Sequence, residues 1–348
     1  MLNKASSRLI TKAPSKVPHW VFIYSLLFIV GLCLSLVLGS CVPYNSLNSV
    51  VTATENQPPE VVRIGYQPHG APPLLKVRGT LEKHLAPMGV SVEWTEFAAG
   101  APIMAAMGEG KIDIGQVGGV PALFAQSDGV PFVYIANEPP APTRVGLVVR
   151  KDSPIQTLAD LKGKKIAFTK ASSAHYLVSQ ALIKAGLRFE DVQGIYLPPG
   201  EGLVALERKE VDAWAGWDPF FAEVEDRMPV RILTNGDGLT QGINFYVATG
   251  DFTSNHFDIV KIVIEQMRQV GIWSNQNPPE AAKIIARQTG LKLLTALKIS
   301  ERRRYEAQPI QEQAIEEQQR IAETFFRLGL LSKRIWVEDA VWKLSLGN

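Results

Sequence analysis

Residues 164–187 read KKIAFTKASSAHYLVSQALIKAGL, and this stretch decides how the chain can fold. The run KKIAF predicts a short buried strand, while YLVSQALIKAGL repeats its apolar residues at helical spacing. Between them, KASSAH holds two serines, which are preferred residues at the start of a helix. The stretch therefore predicts a strand that leads directly into a helix, which is the repeating step of an α/β fold.

The same alternation extends to both sides of this stretch. Short β-branched runs, which predict strands, are separated by amphipathic runs, which predict helices. The proline-rich PPAPT interrupts the pattern, and beyond Asp251 the chain becomes almost wholly helical. We therefore predict parallel strands covered by helices, in these runs: VVRIGY, VSVEWTEF, IDIGQV, FVYIAN, RVGLVVR, KKIAF, VQGIYL, DAWAGW, VRILTN and INFYVAT.

Two α/β units and a helical tail without a core of its own indicate two lobes joined by two chain crossings. We expect residues 61–146 and 246–348 to form lobe 1 and residues 147–245 to form lobe 2. Two lobes on two crossings make a hinge. Ligands of such folds bind outside the carboxyl ends of the strands, in the crevice between the lobes. The predicted walls of this crevice are GYQPHG, QVGGVP, KASSAH, LPPGEG, WAGWDP and GINF.

The first sixty residues have the composition of a targeting segment. Four basic residues and no acidic one precede the apolar run VFIYSLLFIVGLCLSLVLGS, and small residues stand directly before Cys41, as in the bacterial lipoprotein box. We expect residues 1–40 to be a signal peptide, Cys41 to carry a lipid, and residues 41–60 to be a flexible tether. The alternative is an uncleaved transmembrane anchor. Both interpretations place the remaining chain outside the cytoplasmic membrane.

Composition argues against several function classes. Removal of the four basic residues in the signal segment changes the formal net charge from +2 to about −2, which disfavours nucleic acid as a partner. Only Cys41 would remain after cleavage, because Cys33 leaves with the signal, so no disulfide is expected. The five histidines are scattered, and no glycine-rich phosphate motif is present. We therefore expect no metal and no cofactor.

The KASSAH segment is the leading candidate for an anion site. Ser172 is placed as the N-cap of the helix and Ser173 just inside it, where free amides and the helix dipole favour an anion. The alternative is simple helix capping. A serine hydrolase is a third interpretation, but the chain lacks a G-x-S-x-G elbow, and His175 stands two residues from Ser173, on another helix face.

Other predicted walls carry polar or aromatic side chains. Gln67 and His69 follow the first strand and could donate to an oxyanion, although His69 could also belong to a solvated turn. Trp217 could form an apolar wall for an organic tail, and the neighbouring Asp218 could cap a helix or bind an amine. Asn244 lies at the second crossing, where it could reach the ligand or hold the hinge.

Seven segments together resemble the aliphatic sulfonate-binding proteins of bacterial ABC importers, with taurine- and nitrate-binding proteins as the neighbouring branch. This resemblance implies a type II periplasmic-binding-protein fold that closes on an organosulfonate. It also implies delivery to a membrane permease driven by a cytoplasmic ATPase. The segments are RIGYQ, LLKVRGTLEKHL, VEWTEFAAG, KDSPIQTLADLKGKKIAF, KASSAHYLVSQAL, VDAWAGWDPF and FFRLGLL.

The resemblance also implies which residues hold the sulfonate. Donors would come from the loop after the first strand, from backbone amides after the third strand, and from the serine-rich helix start. Carried over to this chain, they are Gln67, the backbone amides near Gly118 and Gly119, and Ser172, Ser173 and His175, with Trp217 and Asn244 facing the cleft. His69, a candidate from its own chemistry and not from the resemblance, completes the predicted ligand-binding residues.

The chain departs from the family pattern at three places. Ala171 stands where a glycine is common, Pro68 and His69 replace the usual turn, and the segment 117–122 lacks a hydroxyl and a carboxylate.

We predict a lipid-anchored solute-binding protein for aliphatic sulfonates at the periplasmic face of the cytoplasmic membrane. The first alternative is the same scaffold with nitrate, taurine or a pyrimidine precursor of thiamine. The second is an enzyme or sensor domain.

Overall fold

The computed structural model describes residues 58–343. The predicted signal segment, the predicted lipidation site Cys41 and most of the predicted tether lie outside the described residues. Within residues 58–343, no helix combines the length and hydropathy that are needed to cross a bilayer.

Ten strands form two five-stranded sheets in this part of the chain. They are β1 (Val61–Tyr66), β2 (Ser91–Glu96), β3 (Ile114–Gly118), β4 (Phe132–Asn137), β5 (Val145–Arg150), β6 (Lys165–Phe168), β7 (Gln193–Tyr196), β8 (Ala213–Trp217), β9 (Val230–Asn235) and β10 (Asn244–Thr249). The first sheet has the order β2-β1-β3-β10-β4, and the second has the order β7-β6-β8-β5-β9.

One strand in each sheet runs against its neighbours. Strand β10 is antiparallel to β3 and β4, and β5 is antiparallel to β8 and β9. The pairings of β1 with β2 and β3, and of β6 with β7 and β8, are parallel as the sequence predicts. The two exceptions are the strands that the chain enters directly from the other sheet. A direct connection can reverse the strand, whereas a helical crossover returns it parallel.

Twelve α-helices cover the two sheets within the described residues. They are α1 (Ala71–Arg78), α2 (Thr80–Leu85), α3 (Gly100–Gly108), α4 (Gly119–Asp128), α5 (Ser173–Lys184), α6 (Pro199–Glu207), α7 (Phe220–Arg227), α8 (Gly250–Asn255), α9 (Phe257–Gln276), α10 (Pro278–Thr289), α11 (Leu293–Glu301) and α12 (Glu312–Arg327). The apolar spacing of LLKVRGTLEKHLA predicts one helix over residues 74–86. In the structure this stretch is divided between α1 and α2 at Gly79, whose φ of 61° ends α1.

The C-terminal helices pack on the first sheet. Side chains of α9, α10 and α11 share one apolar core with β1 and α1, and those of α12 share a second core with β3, β4 and α4. We call the first sheet with α1–α4 and α8–α12 the first lobe, and the second sheet with α5–α7 the second lobe. The lobe limits predicted from the sequence stay a prediction, and their division points fall inside β5 and β10.

The chain crosses between the lobes twice, first in residues 138–144 between β4 and β5 and again in residues 236–243 between β9 and β10. These two crossings lie side by side. The amide of Ala141 donates to the carbonyl of Gln241 at 2.9 Å, and the amide of Gly236 donates to the carbonyl of Pro142 at 3.2 Å. The lobes are therefore joined by a hydrogen-bonded pair of segments.

Ion pairs beside the crossings also connect the lobes. Arg302, just after α11, contacts Asp218 at 3.0 Å and Glu225 at 2.5 Å, and Lys298 contacts Glu225 at 2.6 Å. Burial raises the pKa of Asp218 to about 6, although the Arg302 guanidinium opposes that change. Through its ion pair with Arg302, Asp218 connects the end of α11 to the start of α7.

Candidate functional site

A narrow cleft lies between the lobes, at the strand ends where the sequence predicted a binding site. Its walls come from the loop after β1, the starts of α3 and α4, the turn between β6 and α5, and the adjoining ends of β8 and β10. The lining residues are Gln67, His69, Ala99, Gly100, Ala101, Gly118, Pro121, Arg144, Thr169, Lys170, Ala171, Ser172, Ser173, Trp217 and Asn244.

Seven of the nine residues predicted for the ligand site line this cleft: Gln67, His69, Gly118, Ser172, Ser173, Trp217 and Asn244. Gly119 and His175 do not line it. Gly119 is the first residue of α4, packs against Gln318 and lines a small neighbouring cavity.

His175 is turned away from the cleft into an aromatic core. Its ring stacks on Phe168 with 5.0 Å between ring centres, and Phe325 lies 5.2 Å away. Nδ1 accepts a hydrogen bond from the Ala171 amide at 3.3 Å. Burial, with a contribution from Lys170, lowers the pKa of His175 to about 4, so the ring is neutral at physiological pH. Its place in the first turn of α5 directs the ring into the core.

The two serines of KASSAH differ in their hydrogen bonds. Ser172 is the N-cap of α5, as the sequence predicted: its Oγ accepts from the His175 amide at 3.3 Å and donates to the Thr169 carbonyl at 2.6 Å. The Ser173 hydroxyl makes no hydrogen bond within residues 58–343. Ser173 therefore has the hydroxyl that remains free to bind a ligand.

Ser173 lies close to Gly118 of the opposite lobe. A Cβ added to Gly118 of the first lobe would lie 3.1 Å from the Ser173 Oγ of the second lobe. Such a distance is tighter than ordinary van der Waals contact, so a glycine at position 118 allows the lobes to meet here.

Arg144 is a cleft residue that the sequence analysis missed. It is 2% exposed and lies at the first crossing, where its Nε donates to the Gly242 carbonyl at 3.0 Å and its Nη2 to Asn244 Oδ1 at 2.7 Å. Nη1 has no hydrogen-bond partner within the described residues. Burial and the nearby Arg303 lower the pKa of Arg144 to about 9, which leaves it charged at neutral pH. In the sequence, only the position of Arg144 directly before the apolar run VGLVV indicates that this side chain is buried.

His69 is buried rather than part of a solvated turn. It is 3% exposed, and its Nδ1 lies 2.9 Å from Nη1 of Arg303. Burial and the charges of Arg303 and Arg144 hold the pKa of His69 well below its usual range. Its Nε2 is buried without a partner among the described residues. A neutral imidazole therefore lines the first-lobe wall.

The electrostatics of the cleft favour an anion. Among its described lining residues there are two cationic side chains, Arg144 and Lys170, and no carboxylate. Helix α5 begins at the cleft with the lining residue Ser173, so its first amide and the positive end of its dipole are at the cleft. Helix α4 begins next to the cleft, directly after the lining residue Gly118. No group of three potential metal ligands occurs in residues 58–343.

Comparison with known proteins agrees with this chemistry. A family model described as the periplasmic phosphonate substrate-binding protein of an ABC transporter matches residues 75–245. An aliphatic sulfonates-binding protein of Escherichia coli K12 is 33% identical over 300 residues, which cover 86% of this chain and 93% of that relative. This chain belongs to the aliphatic sulfonate-binding protein family.

Solved structures of the aliphatic sulfonate-binding family have the same fold. The alkanesulfonate-binding protein SsuA of Xanthomonas axonopodis pv. citri, bound to MOPS, is 34% identical with a TM-score of 0.78, over 82% of this chain and 99% of that chain. The periplasmic aliphatic sulphonate-binding protein SsuA of Escherichia coli is 33% identical with a TM-score of 0.75, over 82% and 92% of the two chains. The predicted family and fold class are therefore confirmed.

The turn before α5 contains backbone strain. Ala171 has a φ of 54°, in the left-handed region that disfavours residues with a Cβ. Replacement by glycine removes this steric conflict.

We expect Ala171→Gly to raise the free energy of unfolding by about 0.5–1 kcal/mol, because relief of strain exceeds the added entropy of the unfolded chain. Chemical denaturation measures this change. Lys209→Gly is the matched control and should give a similar gain, since Lys209 has a φ of 63° and lies away from the cleft. A lower free energy of unfolding for Ala171→Gly would contradict the prediction.

Proposed function

We propose that this chain is an extracytoplasmic solute-binding protein that captures aliphatic sulfonates and delivers them to the permease of an ABC importer. The observation that carries this proposal is a cleft wall of hydrogen-bond donors, with one buried guanidinium and no carboxylate among its described residues. A sulfonate remains ionised at physiological pH. Burial of such a charge requires several convergent donors, because an unpaired buried charge is strongly unfavourable.

The donors come from both lobes. Gln67 and His69 belong to the first lobe, whereas Ser173 and the first amides of α5 belong to the second. A ligand that contacts both sets does so only when the lobes are closed. It therefore shifts the protein toward the closed state by its differential affinity for the two states.

The same geometry supports a binding role rather than an enzymatic one. The Ser172 hydroxyl is engaged in capping α5, and His175 Nδ1 accepts from the Ala171 amide. Ser172 contacts His175 only through the His175 backbone amide, and no serine hydroxyl of KASSAH is hydrogen-bonded to the imidazole among the described residues, so the segment does not form a nucleophile with its base.

The proposal includes a lipid anchor on Cys41, which the lipoprotein-like segment LGSC supports. We expect Cys41→Ser to remove lipid modification and to block cleavage of the segment before it. Mass spectrometry of the membrane fraction would detect a diacylglyceryl-modified Cys41 at the start of the wild-type chain. An intact N-terminus in the wild-type protein would instead identify the segment as an uncleaved anchor.

A ligand series tests the proposed function. Ethanesulfonate should raise the melting temperature of the purified protein more than taurine or nitrate. Taurine carries an ammonium group that would find no carboxylate among the lining residues, and nitrate has no organic tail to cover Trp217. Stabilisation by nitrate alone, or by a thiamine pyrimidine precursor alone, would contradict the proposal.

The two serines should separate into a binding role and a structural role. Ser173→Ala should weaken ethanesulfonate binding at least tenfold, because a hydrogen bond to a charged group contributes about 1.5–3 kcal/mol. Ser172→Ala should lower the free energy of unfolding by about 0.5–2 kcal/mol through loss of the cap. Calorimetric titration and chemical denaturation measure the two effects. Unchanged affinity in a folded Ser173→Ala variant would remove Ser173 from the site.

A further inference from the structure

The aliphatic sulfonate-binding family and the matched phosphonate family model raise the question of which tetrahedral anion the cleft prefers. We propose that two buried arginines, Arg303 and Arg144, fix His69 and Asn244 as hydrogen-bond donors and thereby select sulfonates over protonated phosphonates. This inference rests on the proposed function.

Arg303 determines which nitrogen of His69 carries the proton. A guanidinium can only donate, so the contact of 2.9 Å between Arg303 Nη1 and His69 Nδ1 requires a lone pair on Nδ1. The proton of the neutral ring must then be on Nε2. Nε2 is buried and has no partner among the described residues, on a ring that lines the cleft. His69 therefore presents an N–H donor to the ligand.

Arg303 is itself held by a buried network that lies outside the cleft lining. Its Nη2 pairs with Glu138, and both side chains are at most 2% exposed. Glu138 Oε1 also accepts from Gln116 Nε2 at 2.6 Å and from the Tyr246 hydroxyl at 3.0 Å. Arg303 and Glu138 are thus positioning residues, which act on the ligand through His69.

Arg144 orients Asn244 by the same chemistry. Arg144 Nη2 donates at 2.7 Å to the side chain of Asn244, so the accepting atom must be Oδ1. The amide nitrogen Nδ2 then points to the other side, where it is buried without a partner among the described residues. Asn244 is 1% exposed and lines the cleft. It is therefore a second fixed donor.

Most other polar groups in the wall also donate. The guanidinium of Arg144, the ammonium of Lys170 and the helix-start amides have no acceptor atoms. Ser173 and Gln67 can both donate and accept. Selection between anions therefore depends mainly on the ligand oxygens that meet His69 Nε2 and Asn244 Nδ2.

The two anions differ in one proton. A sulfonate offers three oxygens that carry no hydrogen, whereas a singly ionised phosphonate carries a hydroxyl whose proton needs an acceptor. A buried donor without an acceptor loses about 1–3 kcal/mol, which corresponds to a loss of affinity of roughly fivefold to 150-fold. The doubly ionised phosphonate has no such proton and escapes this loss.

The test compares ethanesulfonate with ethylphosphonate by calorimetric titration of the purified full-length protein in detergent. The ratio of the two dissociation constants is measured from about pH 6 to about pH 8.5, because an alkylphosphonate loses its second proton at a higher pH than a phosphate monoester does. We expect the phosphonate to bind at least about fivefold more weakly at the lower pH, and the ratio to fall as the dianion forms.

At the lower pH both ligands carry one negative charge among the same charged groups, so the ratio measured there does not depend on titration of the protein. These groups are Arg144, Lys170, Arg303, Glu138 and Asp218. A ratio that stays constant with pH, or equal affinities at the lower pH, would overturn the inference. Failure of ethanesulfonate to bind at either pH would instead overturn the proposed function.

Substitutions of Asn244 provide a second arm. Asn244→Asp places an accepting oxygen in the cleft, so it should weaken ethanesulfonate more than singly ionised ethylphosphonate. Asn244→Ala, the matched control, removes the donor without adding an acceptor, so it should reduce the preference for ethanesulfonate less than Asn244→Asp does. An equal loss for both ligands in a folded Asn244→Asp variant would overturn the role of Asn244.

The protonation of His69 can be observed without a variant. Nitrogen-15 NMR of the wild-type protein should show a single neutral tautomer with its proton on Nε2, unchanged between about pH 6 and about pH 8. A mixture of tautomers, or a protonated Nδ1, would overturn the role of Arg303.

Discussion

The buried guanidinium of Arg144 is the interaction on which the arrangement of the cleft depends. It lies at the first crossing and donates to Gly242 and Asn244 of the second, so one side chain joins both connections between the lobes. A charge in this position is favourable only when it is paired and hydrogen-bonded. Glu138 and Asp218 stabilise the charge of Arg144, while Arg303 opposes it. The hinge and the electrostatic character of the ligand site are therefore properties of one group of charges.

The sequence was sufficient for features that are set locally. Alternating apolar runs predicted the strands, and Gln67, Gly118, Trp217 and Asn244 were placed at strand ends by that pattern alone. Because strand ends of an α/β fold meet at one edge, these residues line the same cleft. The N-cap role of Ser172 also followed from its place between a strand and a helix.

Features that depend on tertiary packing were not predictable in this way. The run Arg302, Arg303 and Arg304 has the pattern of a solvated charge cluster, yet Arg303 is buried behind the cleft and Arg302 joins the lobes. Nothing in the local sequence indicates which of the three turns inward. The orientation of the His175 ring likewise depends on aromatic partners that are distant along the chain, such as Phe325.

The network of Arg303 and Glu138 has a consequence for how related proteins diverge. Neither residue lines the cleft, yet together they set the hydrogen-bonding character of a side chain that does. Two homologues with identical cleft linings can therefore recognise different oxyanions if this supporting pair changes. Evolution could alter the nutrient that such a protein collects by substitution behind the binding surface, with every ligand-contacting residue unchanged.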